Sequence, residues 1–241
     1  MLLFSVNFSC YYLLLLGRIK DVFSAELRTF IAVVGTVMLV VTLNTRGLFD
    51  SLGEAIRHVA FTVASLISTT GFATENFDAW PELSRALLVL IMFIGACAGS
   101  TGGGMKVTTV AVLLLTVLSV LRGEEDITAA KRRLPAALVR RALTIVTLYV
   151  IILLMGTMVI SLIEGDSYDM LDVLFECTSA LATVGVSSIG TPRLHPASKM
   201  ILAVMMYLGR VGPLTMALAL ARRQGRSKAR LRYPEETITI G

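Results

Sequence analysis

FTVASLISTTGFAT at residues 61–74 returns, altered but without a gap, as FECTSALATVGVSS at residues 175–188. The offset of 114 (Phe61 to Phe175) brings Ser65 onto Ser179, Thr69 onto Thr183 and Gly71 onto Gly185. It persists to Met92 on Met206 and Gly95 on Gly209. One unit therefore spans about 27–122 and a second about 137–222. Duplication of this kind is common in transporters and channels. Each unit has the same order. A helix long enough to span comes first, at 27–43 or 137–163. A short amphipathic stretch follows, at 52–67 or 168–181. A glycine-containing loop comes next, at 68–74 or 182–188, and then a second apolar run, 85–121 or 197–221.

Composition sets the solvent. Of 241 residues, 55% are hydrophobic and only 16% charged, with a mean hydropathy of +0.78. A soluble domain carries nearer a quarter charged, because water-facing surface needs charge. Apolar runs of about 20 residues match the hydrocarbon core of a bilayer. The formal charge of +5 is concentrated beside those runs. Arg18, Lys20 and Arg28 form one cluster; Arg122, Lys131, Arg132, Arg133, Arg140 and Arg141 a second; Arg222, Arg223, Arg226, Lys228, Arg230 and Arg232 a third. Basic clusters flanking spans obey the positive-inside rule and exclude a nucleic-acid role for this charge. The acidic loops with Glu75, Asp78, Glu82, Glu164, Asp166 and Asp169 are expected outside.

All three basic clusters fall on one side only if each unit crosses twice. The short amphipathic stretches must then dip in and return, as re-entrant pore helices. Irregular backbone at that depth is tolerated only where it lines a wet cavity or is buried in protein. The run 85–121 also needs a break, because as one helix it would be about 55 Å long. GACAGSTGGGMK, residues 95–106, supplies it. Glycine opposes helix by roughly 1 kcal/mol per residue. The run reads as pieces 85–98 and 105–121 joined by an unwound intramembrane loop. The fold class is thus an all-α polytopic membrane protein. Two tandem helix–pore loop–helix units follow residues 1–16, which read as the end of a preceding helix. A cytoplasmic loop, 123–136, joins the units, and a tail, 222–241, closes the chain.

The loops Ser68-Thr69-Thr70-Gly71-Phe72 and Ala182-Thr183-Val184-Gly185-Val186 are the ion-filter candidates. An ion that sheds water needs replacement ligands, and backbone carbonyls in a narrow pore provide them. Glycine permits the dihedrals that aim carbonyls inward. The preceding short helix turns its negative dipole end to a cation. Neither loop holds a carboxylate, which disfavours a divalent oxygen cage. A single Thr-x-Gly reads as an ordinary turn; two copies at a fixed offset, each behind a non-spanning helix, do not.

AGSTGGGMKVT departs from a phosphate-binding P-loop, since Met105 separates Gly104 from Lys106 and the stretch follows an apolar helix. Gly99 and Gly103 also suit close helix packing. Lys106 and Arg210 are the two basic residues inside spans, where charge is costly and usually functional. Lys106 is near enough to an interface to snorkel. Arg210 is expected to face a cavity, free carbonyls or a carboxylate, with Glu176 as one candidate. His58 and His195 lack ligand-like neighbours. Cys10, Cys97 and Cys177 stand singly in apolar stretches, with no metal spacing. No catalytic set is visible, so the chain does not read as an enzyme.

SLISTTGFAT, FIGACAGSTGGGMKV, SALATVGVSS, MMYLGRVGP and the closing LRYPEETITIG together resemble the Trk/Ktr/HKT superfamily of potassium transporters. They are most similar to the bacterial Ktr-type ion-translocating subunit. The resemblance implies four helix–pore loop–helix units around one pore, of which Gly71 and Gly185 would mark the third and fourth. It implies a filter at Thr69, Thr70, Gly71, Phe72, Thr183, Val184, Gly185 and Val186. It implies a gating loop at Gly99, Ser100, Thr101, Gly102, Gly103 and Gly104, bordered by Lys106 and worked with Arg210. Residues 1–16, with Val6-Asn7-Phe8, would end the second unit. A homodimer, a cytosolic nucleotide-binding regulatory ring, a plasma-membrane location and a cytoplasmic C-terminus are likewise implied. Potassium would be the substrate, and no cofactor is expected in the chain. The competing readings are a non-transporting membrane scaffold or remnant, and a half-subunit that pairs to complete a pore.

Overall fold

The structure, a computed structural model, describes residues 1–123, 127–129, 132–212 and 215. The expected run of the last helix beyond these, the tail 222–241 and part of the loop 123–136 lie outside the described residues. The helices are α1 (Leu2–Ser5), α2 (Phe8–Leu15), α3 (Ile19–Val22), α4 (Ala25–Thr45), α5 (Leu52–Ile67), α6 (Glu82–Ile94), α7 (Val107–Leu121), α8 (Ala136–Glu164), α9 (Met170–Leu181) and α10 (Pro196–Val211). Among the described residues a ladder of Thr128–Ala129 with Arg132–Arg133 is the one exception to helix, and it is too short to build a core.

Local chemistry explains the starts. Ser24 caps α4 by accepting from the Leu27 N–H, and Ser51 caps α5 by accepting from the Glu54 N–H. Ser-x-x-Glu at 51–54 has the residues of a capping box. Residues 1–16 depart from the expected continuous helix end. The chain is extended at Val6, and Asn7 starts a new helix by accepting from the Ser9 N–H. The Phe8 N–H bonds Gly99 O at 3.1 Å, a tertiary partner that a continuous helix would not leave available.

In each unit the end of the long first helix meets the start of the last. Asn44 of α4 donates to Ser84 of α6 at 2.8 Å. Glu164 of α8 accepts from the His195 N–H at the head of α10 at 2.9 Å. The two helices of each pair therefore run antiparallel. The segment between them leaves and returns at one end, with the short helix α5 or α9 folded into the V. At 1.5 Å per residue, α5 and α9 reach only about 24 and 18 Å. Ala25–Leu48 and Ala136–Ser167 are long and apolar enough to cross a bilayer, with hydropathies of 1.8 and 2.5.

Two cores result. Val37, Val41, Val59, Val63, Leu66, Leu88, Ile91 and Met92 form the first and take in Phe175, Val184 and Val186 from the second unit. Tyr149, Leu153, Ile160, Val173, Leu181, Leu202 and Met205 form the other. Outside them, Ile31, Leu39 and Leu43 on α4 and Ile151, Leu154, Met155, Met158 and Leu162 on α8 stay exposed at helical spacing. In water such stripes would be aggregation sites; against acyl chains they cost nothing.

Candidate functional site

The two glycine loops have the same backbone. Each short helix ends in a Schellman-type C-cap. Ser68 N–H bonds Ala64 O at 3.2 Å, Thr69 N–H bonds Leu66 O at 3.1 Å and Thr70 N–H bonds Ser65 O at 2.9 Å. In the second copy Ala182, Thr183 and Val184 donate to Thr178, Ala180 and Ser179 at 2.8, 3.1 and 2.9 Å. Thr69 and Thr183 take left-handed φ of 54° and 57°, and Gly71 and Gly185 take 75° and 88°. A β-branched residue at positive φ is a genuine outlier. Such strain costs roughly 1–3 kcal/mol per residue and collects at functional sites. Its recurrence at equivalent positions makes it a property of the repeat.

The loops meet each other. A Cβ at Gly71 would overlap Val184 O, so Gly71 is required by both its φ and the approach of the second loop. Gly185 has open space around it and is exposed. Thr70 and Phe72 are exposed, whereas Val184 and Val186 are buried. Ser179 holds Val186 from both sides, accepting from its N–H at 3.0 Å and donating to its carbonyl at 2.5 Å.

The unwound loop lies against the inner ends of both. It starts at Gly95, φ 73°, and closes at Lys106, φ 89°. The Gly103 N–H donates to Thr69 Oγ1 at 2.9 Å, and a Cβ at Gly103 would overlap Thr183 Oγ1 and Ala182 O. At Gly102 a Cβ would come within 2.5 Å of the Ala96 Cβ. Lys106 Nζ donates to Gly102 O, and Tyr149 Oη to Gly104 O at 3.4 Å. The first half of the loop is tied to the N-terminal segment. Ala98 N–H and Asn7 Nδ2 donate to the two oxygens of Glu26 at 2.8 and 3.3 Å. Cys97 and Thr101 N–H bond Ser5 and Phe4 carbonyls at 3.0 and 3.3 Å. Ser100 Oγ bonds Cys97 O at 2.6 Å, and Gly99 sits against Asn7.

Below the loop is a cavity of about 290 Å³ lined by Gly102–Lys106, Tyr149 and Arg210. Among the described residues two cations border it and no carboxylate does. Arg210 faces this cavity, and among the described contacts the hydrogen bond to the loop carbonyl comes from Lys106 instead. The Glu176 partner considered for Arg210 is corrected: Glu176 is buried and accepts from Thr191 Oγ1 at 2.6 Å, on the far side of the filter loop in sequence. The three cysteines are buried and unbridged. No cluster of metal-ligating side chains occurs among the described residues.

Three residues with structural partners at the loops, Arg85, Asp172 and Ser188, carry no role in the sequence reading, and His58, read as lacking ligand-like neighbours, has an acidic one. Arg85 on α6 pairs with Asp172 on α9. Ser188, the last residue of the second loop, donates to Asp172 Oδ1 at 2.6 Å and lies 3.3 Å from Arg85 Nη2. His58, at the position equivalent to Asp172, lies 3.2 Å from Glu75 Oε1 and stacks on Phe49. The usable signal was the offset itself, since 114 carries His58 onto Asp172.

Known proteins share this architecture. A family model described as TrkH, cation transport protein, matches residues 1–229. The chain is 33% identical over 198 residues to the Ktr system potassium uptake protein B of Vibrio alginolyticus, covering 82% of this chain and 42% of that one. It is 30% identical over 221 residues to the potassium/sodium uptake protein NtpJ of Enterococcus hirae, covering 88% and 48%. The crystal structure of the potassium transporter TrkH from Vibrio parahaemolyticus superposes with a TM-score of 0.79 at 25% identity, over 93% of this chain and 51% of that one. The chain thus spans about half the length of the relatives it matches.

Proposed function

The chain belongs to the TrkH family of cation transport proteins, and from that premise we propose that it supplies two of the four units of a potassium pathway across the plasma membrane. These units correspond to the third and fourth. Their filter loops, Thr69–Phe72 and Thr183–Val186, offer backbone carbonyls to a dehydrated potassium ion. The observation that carries this reading is the duplicated strained backbone, with left-handed Thr69 and Thr183 two residues before left-handed Gly71 and Gly185. A helix C-cap accounts for one left-handed residue; a left-handed glycine two positions on, repeated in both copies, suits carbonyls aimed into a shared pore. α5 and α9 end at the loops and lend them negative dipole ends.

The loop 99–104 is the gate. It lies under both filters, is glycine-rich where it must approach them, and is held by Lys106. Arg210 and Lys106 place fixed positive charge beneath it, which opposes a cation while the loop is in place. Opening displaces the loop, and a regulatory partner must supply the differential binding energy for that shift. The proposed partners are a second copy of the chain and a cytosolic nucleotide-binding ring, met by the basic loop 122–141 and the tail. The C-terminus is then cytoplasmic. The substrate is potassium, and the chain needs no cofactor.

The test is uptake of labelled rubidium and sodium by cells that lack their own potassium uptake systems and express the chain within its full-length protein. Gly185→Ser should bring the two rates closer together. If their ratio stays at the parental value while the protein is inserted, the loops are not in the pathway.

A further inference from the structure

The two filter loops are anchored by different means. In the first unit the anchor is local: His58 on α5 faces Glu75, just past its own loop, at 3.2 Å. In the second unit it crosses the unit boundary. Asp172 on α9 accepts from Ser188 at 2.6 Å and from Arg85, which belongs to α6 of the first unit. Arg85 also reaches Ser188 at 3.3 Å. The residue equivalent to Arg85 under the repeat is Lys199, and its ammonium turns away to the Pro192 carbonyl at 2.9 Å. The cross-unit bond is therefore particular to the second loop.

We propose that Arg85, Asp172 and Ser188 form a clamp that fixes the outer end of the second filter loop to the first unit and so positions Gly185 relative to Gly71. These are positioning residues; none of them faces the ion. The Arg85 and Asp172 side chains are 12% and 23% exposed, so the pair is largely withdrawn from water. A charge-assisted bond in such a place is stronger and more directional than one at the surface. Losing one partner leaves the other's charge stranded. Ser188 is three residues past Gly185, close enough that its position limits the path of the loop. Among the described hydrogen bonds none joins the loops at their inner contact, Gly71 on Val184, to hold it in register. The stacked rings of Phe77 and Phe175, 5.1 Å apart, fix separation but allow sliding. The clamp supplies the missing direction.

The inference rests on the pathway reading above, and the experiment separates the two. Rubidium and sodium uptake, with membrane abundance, is measured for the full-length protein and for Arg85→Gln, Asp172→Asn, Ser188→Ala and the exchanged pair Arg85→Asp with Asp172→Arg. At parental abundance, Arg85→Gln and Asp172→Asn should each lower the rubidium-to-sodium ratio roughly fivefold, and the exchange should return it to within about twofold of the parent. If the parent discriminates but the single variants keep its ratio, the clamp is overturned and the pathway stands. If the parent transports neither ion, both readings fall. Should the single charge variants be lost from the membrane, Ser188→Ala decides, because it keeps the ion pair: a lowered ratio supports the clamp and an unchanged ratio overturns it.

Discussion

Gly71 and Gly185 share a sequence position in the repeat and a positive φ, yet their surroundings differ. A side chain at Gly71 collides with the Val184 carbonyl, which is backbone and cannot swing aside. One at Gly185 meets nothing within 4 Å. Both replacements carry the left-handed penalty of roughly 1–2 kcal/mol; only the first adds overlap. Gly71→Ala should therefore lower the melting temperature of the purified protein markedly more than Gly185→Ala. Gly185→Ala should show its effect in ion discrimination instead. Equal losses of stability would mean that the loops do not meet as described. Thr69 adds a second test. Its hydroxyl accepts from the Gly103 N–H, so Thr69→Val keeps the β-branch and removes the only bond described between the proposed filter and the proposed gate. Flux should rise, and unchanged flux would detach that bond from gating. The glycines and threonines were legible because the repeat displayed them twice. The left-handed φ at Thr69 and Thr183 was not, since the helix C-cap that needs it is normally closed by glycine or asparagine, and threonine gives no such signal.

At the scale of elements, the short helix expected at 52–67 is observed over those same residues, because a Ser51 cap and a polar turn at 68 bound it. The broken helix is observed as Glu82–Ile94 and Val107–Leu121, where 85–98 and 105–121 were expected. The first piece stops early because Gly95 adopts φ 73° and cannot continue the helix. Ala96–Ala98 then spend their backbone groups on the Val107 amide, the Ser5 carbonyl and Glu26. No local signal announces the bonds to Ser5 and Glu26, whose partners are distant in sequence. The same holds for Asn7 and Glu26, which read as ordinary polar residues near helix starts. Their role follows from where they meet: one carboxylate holds both the N-terminal break and the head of the proposed gating loop. Glu26→Ala removes two acceptors and leaves the Ala98 amide unpaired in a part-buried place, a cost of about 1–3 kcal/mol. That loosens the closed loop, so Glu26→Ala and Lys106→Gln should each raise basal flux and weaken its dependence on the regulatory partner. Two well-inserted variants with parental flux would return the loop to a packing role.

The whole molecule is organised by charge and by its apolar exterior. Exposed apolar stripes on α4 and α8 face away from both cores, and a bilayer is the medium that accepts them. Within each unit the antiparallel helix pair closes at one end, by Asn44 with Ser84 in the first and Glu164 with His195 in the second. The basic clusters gather at the opposite end, where Arg18, Arg28, Arg122 and Arg140 flank the same helices, while Arg46, Arg57, Arg85, Arg193 and Lys199 stand singly at the closed end. If the short helices crossed fully, successive basic clusters would lie on alternate sides, against the positive-inside rule. Two crossings per unit put them together and leave Glu75 and Glu164 on the other face. Since Cys10, Cys97 and Cys177 are buried, background reaction with a thiol reagent should be low. Single cysteines replacing Glu75 and Glu164 should be modified by a membrane-impermeant maleimide added to intact cells. Cysteines replacing Arg122 and Arg140 should react only after the membrane is opened. A cysteine replacing Arg28 decides the crossing: modification of positions 28 and 75 from the same side would mean that α5 spans the bilayer, and the two glycine loops would then have no shared pathway to line.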